Sequence, residues 1–429
     1  MTTLNRNIPP TIQNIDQISI TSPRIHTLSN GIPVHIIEGG TEEVARVDLV
    51  IHSGTIHQEK PLQATFTNAM LRNSTVRYTQ RELNEKLDYY GAWLQAGVQH
   101  PASVISLYTL HKYFAETVDL LTSMLLEPLF LAEELEVLAR TRKQQFVVSS
   151  QRVSTMAYRE LCKQVFGKNH VCGRTAGIED FDLISTIDLK RFHATHYHSG
   201  NCSVYLSGNI KEELLDILEE KLGKAVWGIP APRLSCETGT PMPIGEKRVH
   251  LHKPDAQQSA VFLGMLTIED KHPDYTLLNM ATTVLGGYFG SRLMSNIREE
   301  KGYTYGIGAF MQSYPQENLW VISAETDHQH VEPLIKEVYY EMDRMREELV
   351  PMEEFNMVRN YLMGTTLRLC ENAFSLSETY LSNDLSGVGT DFISQQIRIL
   401  QEATPQDFLR IAQKYFCKEK LIEVIAGEK

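Results

Sequence analysis

The chain has 429 residues, a net charge of −12, and 42% apolar and 22% charged residues. That length exceeds what one hydrophobic core usually supports, so two or more domains are expected. The acidic balance argues against nucleic acid, whose phosphates require clustered Lys and Arg.

Met1 to Asp16 lacks the apolar core of a secretory signal and the Arg/Ser-rich pattern of a transit peptide. No uninterrupted apolar run approaches the length of a membrane span. Six cysteines (Cys162, Cys172, Cys202, Cys236, Cys370 and Cys417) are scattered and form no CxxC pair. A disulfide framework or zinc ribbon is therefore not indicated, and a reduced cytoplasmic protein is expected.

In chain order, Val47–His52 reads as a sheet strand leading into a helix, and Arg81–Tyr90 as a helix. Thr186–Tyr197 reads as a helix followed by an apolar strand, Ser203–Leu206, and then Gly208. The pattern returns at Thr404–Tyr415, with an apolar strand at Leu421–Ala426 and then Gly427. Each Thr reads as an N-cap, and Thr404 lies 218 positions after Thr186, about half the chain. The upstream strand has its counterpart in Ser259–Gly264, and Val331–Leu349 reads as a long helix. Between the copies, Trp227–Ile244 carries four prolines with Gly and Ser, a linker composition. The expected domains are 1–226 and 247–429, joined by a linker over 227–246. Helices cluster instead of alternating with strands, which favours an α+β sandwich over a doubly wound parallel sheet.

The densest motif is Leu285-Gly286-Gly287-Tyr288-Phe289-Gly290-Ser291-Arg292-Leu293, continuing through Ile297-Arg298-Glu299-Glu300-Lys301-Gly302-Tyr303-Thr304-Tyr305. It resembles the C-terminal signature of the pitrilysin (insulinase-type) zinc metallopeptidases, where a Gly-rich turn and a helix lead to an Arg–Tyr pair seven residues apart. Here that pair is Arg298 and Tyr305. A guanidinium and a phenol beside a scissile carbonyl suit stabilisation of the developing oxyanion, or grip on the substrate backbone. The plainer alternative pairs both with Glu299 or Glu300 at an ordinary helix end.

The resemblance also implies where a zinc site would stand. The family's HxxEH sets two His ligands four apart on one helix face, with a Glu between them as general base. The matching stretch is Leu62–Leu71, which puts Thr65 and Ala69 at the two His positions and Asn68 at the base. The further family ligand corresponds to Gln145, within a shift of one residue. Gly91–Ala96 and Phe166–Arg174 resemble the flanking family segments. None of these side chains replaces an imidazole or takes a proton from water.

Other clusters weigh less. His193, His196 and His198 could capture a metal weakly, but they lack a carboxylate at a matching position and read as structural. His250 and His252 share one strand face without a third ligand, and His328 and His330 have the same weakness. Gly286, Gly287 and Gly290 depart from GxGxxG and read as a tight turn, not a phosphate cradle. No GxSxG, P-loop or HExxH occurs.

The resemblance implies two similar α+β sandwich domains, mostly antiparallel with helices packed on one face, forming half of a clamshell. It implies a non-catalytic subunit completing the chamber of a heterodimeric peptidase, with zinc and base in an HxxEH-bearing sister. Peptide would be the substrate, and a homodimer could form when the chain is isolated. A non-enzymatic peptide-binding or assembly protein, like the core subunits of respiratory complexes, is the second expectation. An unaided peptidase using zinc among His193, His196 and His198 is the third.

Overall fold

The computed structural model describes residues 18, 20–228 and 238–428. The N-terminal stretch read for targeting and the linker prolines Pro230 and Pro232, with Cys236, lie outside them.

The first half runs β1 (Arg24–Thr27), β2 (Pro33–Glu38), β3 (Val44–Ile51), α1 (Gln63–Met70), α2 (Gln80–Tyr90), β4 (Trp93–Val98) and β5 (Ser103–Leu110). It continues with α3 (Phe114–Leu126), α4 (Ala132–Ser150), α5 (Val153–Phe166), α6 (Asp180–Leu183), α7 (Thr186–His196), β6 (Cys202–Gly208) and α8 (Glu212–Leu218). The second half runs β7 (Arg248–His252), β8 (Ser259–Thr267), α9 (Tyr275–Thr282), β9 (Thr304–Gln312) and β10 (Asn318–Thr326). After it come α10 (Val331–Glu347), α11 (Met352–Leu369), α12 (Ala373–Ser386), α13 (Phe392–Glu402), α14 (Pro405–Tyr415) and β11 (Ile422–Gly427).

The sheets order as β1-β2-β6-β3-β5-β4 and β7-β11-β8-β10-β9. Leaving out β1, each position of the first has its counterpart in the second, down to one parallel pair (β2/β6 and β7/β11) among antiparallel ones. The two similar α+β halves expected from the repeat are present.

The capping chemistry moves the repeat by one residue. Thr404 is the N-cap of α14, accepting from Asp407 N–H while the Asp407 carboxylate accepts from the cap. In the first copy Ser185, not Thr186, holds that position, with Asp188 in the answering role. The repeat offset is therefore 219, and His193, His196 and His198 correspond to Ala412, Tyr415 and Cys417.

Each half's own helices cover one sheet face, and the second face is covered by a helix from the other half. Helix α5 lies on β8 and β11, where Ala157, Leu161 and Val165 pack with Phe262 and Val424. A Cβ on Gly264 would stand 2.7 Å from a Leu161 methyl, so glycine there permits the approach. Reciprocally, α12 lies on β2 and β6. Its Glu378 pairs with Arg46 of β3, whose guanidinium also holds buried Asp48 at 2.9 Å. No helix among the described residues is long and apolar enough to cross a membrane.

Candidate functional site

Helix α1 packs against α7, β4 and β5. Gln63 ties it to α7 through the Asp188 carbonyl at 2.9 Å, and Lys60 pairs with the Asp188 carboxylate at 2.9 Å. Burial alone would raise the Asp188 carboxyl, but hydrogen bonds from Lys60 and Ser185 outweigh it and hold it at about 2.

Asn68 points inward from this helix and is 1% exposed. Its amide nitrogen donates to the carbonyls of Gly97 (2.9 Å) and Val104 (3.2 Å), while its oxygen accepts from the Tyr197 hydroxyl at 3.2 Å. The position matching the family base thus carries a group that must donate twice, which a carboxylate cannot do. Thr65 and Ala69 are half-buried on the same helix. Gln145 is exposed on α4, and no described hydrogen bond joins it to Thr65, Asn68 or Ala69. Two of these positions do not fit a zinc ligand: Ala69 has no donor atom, and the Asn68 amide is committed to Gly97, Val104 and Tyr197.

The histidines are dispersed to separate partners. The His193 Nε2 engages the Leu125 carbonyl at 2.8 Å and its ring stacks on Tyr197. His196 Nδ1 meets Ser53 Oγ at 3.0 Å, and burial, then the neighbouring His57 and His198, lower its pKa to about 4. His328 is held between Ser259 Oγ and the Ala256 carbonyl. His330 stacks on Tyr303, while His250 and His252 are exposed on β7. Among the described residues no group of three or more His, Cys, Asp or Glu could hold a metal ion.

The second half builds a different surface. Gly286 lets the end of the α9 segment meet β9, since a Cβ there would stand 2.6 Å from the Ala309 nitrogen. The chain then forms a π-helical segment, Met294–Glu300, turns at Gly302 (φ +67°) and enters β9. The β9/β10 register slips by one between Ala324 and Thr326, leaving Tyr305 and Gly306 opposite Glu325. Thr304 clasps this bulge, donating to the Glu325 carbonyl at 2.7 Å and accepting from Gly306 N–H at 3.1 Å. Bulges re-aim side chains, and Tyr305 is 90% exposed.

Arg298 lies beside Tyr305, its guanidinium 5.7 Å from that ring and 4.5 Å from the Phe289 ring. Its one described ion pair is a long contact to Glu299 at 3.9 Å. The rings hold the cation's plane without engaging its N–H groups as a carboxylate would. Arg292, six residues earlier, is the contrast: 8% exposed and bound through two nitrogens to Glu354 at 3.0 and 2.8 Å. Sequence reasoning found Arg298 and Tyr305 but passed over Phe289 and Thr304. The signal for Phe289 was an aromatic among glycines, where no core face requires one.

The fold has two repeated α+β halves, with an Arg–Tyr pair in the second and no metal-ligand group found among the described residues. Residues 34–177 match the insulinase family (peptidase family M16), and residues 184–362 match the peptidase M16 inactive domain. The chain belongs to peptidase family M16. It is 22% identical over 408 residues to a protein of Rickettsia felis described as an uncharacterized zinc protease, covering 91% of this chain and 94% of that one. It is 25% identical over 290 residues to the non-peptidase homolog YmxG of Helicobacter pylori, covering 63% of this chain and 65% of that one. The fold matches the crystal structure of a peptidase M16 inactive domain from Pseudomonas fluorescens at TM-score 0.86 and 21% identity, covering 95% of this chain and 99% of that one.

Proposed function

We propose that this chain is the non-catalytic subunit of a heterodimeric M16 peptidase, completing the chamber and holding peptide for an HxxEH-bearing sister. One contrast carries the reading. Asn68, at the position of the family base, is committed to internal hydrogen bonds, while half-buried Arg298 lies beside the exposed Tyr305 ring with only a long contact to Glu299. In this reading zinc and the general base reside in the sister. Arg298 and the Tyr305 hydroxyl donate to the carbonyl oxygen of the bound peptide, and the complex works in the cytoplasm.

The test is reconstitution with the HxxEH-bearing subunit and an unfolded reporter peptide. Mixing is expected to produce cleavage that neither chain shows alone. Arg298→Ala or Tyr305→Phe should then lower kcat/KM by about ten- to a hundredfold, below or within the range for a lost oxyanion donor. Full activity of a mixture lacking both side chains would overturn the reading.

The relative described as a non-peptidase homolog favours a second reading, a non-enzymatic peptide-binding or assembly subunit. A chain that binds peptide yet gains no activity with any zinc-bearing sister would select it.

A further inference from the structure

We propose that the cavity between the end of α5, the linker end at 243–247 and one end of the second sheet binds a small organic amine. The ligand's apolar body lies among Val165, Met265, Ile268 and Ile422, and its ammonium meets the Glu317 carboxylate. Strand β10 reaches Thr304 of β9 through Thr326 at one end, and Thr267 of β8 through Asn318 at the cavity end, about 25 Å away by strand rise. The site thus lies apart from Arg298 and Tyr305 and does not depend on the peptide-holding reading.

Size and lining suit a small molecule. The cavity measures about 590 Å³, inside the roughly 300–1,000 Å³ usual for such sites, and its wall is mainly apolar with a few polar groups. Both halves build it. Val165 belongs to α5, Met265 to β8, Ile268 follows that strand, and Ile422 opens β11. Backbone hydrogen bonds from Met242 to the Phe166 carbonyl and from Ile244 to the Gln164 carbonyl, both 3.0 Å, fix the linker end against α5.

The charge balance selects the ligand. Of the lining lysines, Lys247 donates to the Glu419 carbonyl and Lys414 pairs with Asp274 at 2.7 Å. Exposed Lys420 has no described ion pair, and neither do the lining carboxylates Glu246, Glu269 and Glu317. Uncommitted carboxylates therefore outnumber uncommitted ammonium groups. One Glu317 oxygen is buried with no hydrogen-bond partner among the described residues. Burial pushes its carboxyl above the usual range, and nearby His170 offsets this only in part. Such an orphan costs about 1–3 kcal/mol, more when charged, and a bound ammonium would satisfy it.

The turn that carries Glu317 is the independent observation. Gln316 has φ +74°, a left-handed backbone that glycine takes freely and larger residues seldom adopt. Its surroundings hold it there. Gln316 Oε1 accepts from Thr238 Oγ1 at 2.7 Å, while Asp270 accepts from Ser313 and Asn318 at 3.0 and 2.7 Å. Strain braced in this way gathers at ligand sites, and the carboxylate that this turn presents to the cavity is unpaired.

The experiment uses the full chain and three probes of one size, 4-phenylbutylamine, 4-phenylbutanol and 4-phenylbutyrate, with affinities read by calorimetry. The amine should bind about tenfold tighter than the alcohol, as a charge-assisted hydrogen bond exceeds a neutral one, and the butyrate should bind weakest. Glu317→Gln should bring the amine down to the alcohol's affinity and leave the alcohol unchanged. Cys417 lines the same cavity, and Cys370, at the end of α11, does not. The amine at about ten times its Kd should slow iodoacetamide alkylation of Cys417 about tenfold and leave Cys370 unaffected. Absence of amine binding, equal affinity for all three probes, or tightest binding of the butyrate overturns the site. So does unchanged amine affinity in Glu317→Gln, or alkylation of Cys417 at the same rate with and without amine. A Glu317→Gln chain that loses the alcohol as well assigns Glu317 to the fold and overturns its role as the amine's partner.

Discussion

Asn68 uses both ends of its amide inside the protein, on two strand carbonyls and one phenol. Arg298, in the segment leading into its own sheet's edge strand, has one long described ion pair and rests between two exposed rings. Both are polar side chains at helix-to-edge junctions of two halves with the same topology. A fully matched, buried group is accounted for by the fold, because removing any partner leaves an orphan. A half-buried, half-matched group such as Arg298 is not accounted for in that way.

The largest effect should come from Asn68→Glu. The carboxylate would face two carbonyls with nothing to donate, in a place 1% exposed. The expected loss is about 3 kcal/mol or more, measured by urea unfolding, with Asn68→Ala losing about 1–3 kcal/mol. A wild-type midpoint for the glutamate variant would break the comparison. The two arginines of the signature sharpen it next. Arg292→Met strands Glu354 and should lose about 2–3 kcal/mol, whereas Arg298→Ala should lose no more than about 0.5 kcal/mol.

Acid should separate two groups on α7. The pKa of His196 is lowered from 6.5 to about 4 in the folded protein. Its contribution is complete above about pH 6.5 and drains as pH falls towards 4, because the unfolded chain binds the proton first. Asp188, lowered from 3.8 to about 2, contributes above its unfolded value and loses this only below that. The thermal midpoint should therefore decline through both windows, and His196→Phe should make the upper decline shallower while leaving the lower one unchanged. A single window in the wild type would contradict this. Smallest of all, Tyr305→Phe should leave the midpoint unchanged, since a hydroxyl on a side chain 90% exposed supports nothing internal.

Much of this was legible beforehand because local chemistry wrote it. The Thr404–Asp407 capping box, the alternating strands and the Gly-rich run leading to Arg298 are patterns within a dozen residues. The first-half N-cap was misplaced at Thr186 because Ser185 and Thr186 are chemically interchangeable there, and only the Asp188 geometry chooses between them. The bulge at Tyr305 was not legible, since it depends on register against Glu325 in a separate strand.

The sequence by itself determined the two-fold repeat, the class of each half, and the lack of imidazole and carboxylate at Thr65, Asn68 and Ala69. Those follow from residue type and short-range periodicity. Only the tertiary structure decided that α5 and α12 cross to the other half's sheet. It alone matched Asn68 to carbonyls of Gly97 and Val104, and placed Phe289 under Arg298. Each of these depends on which surfaces meet across long separations in the chain, and hydrogen-bond matching and close packing are settled only where they meet.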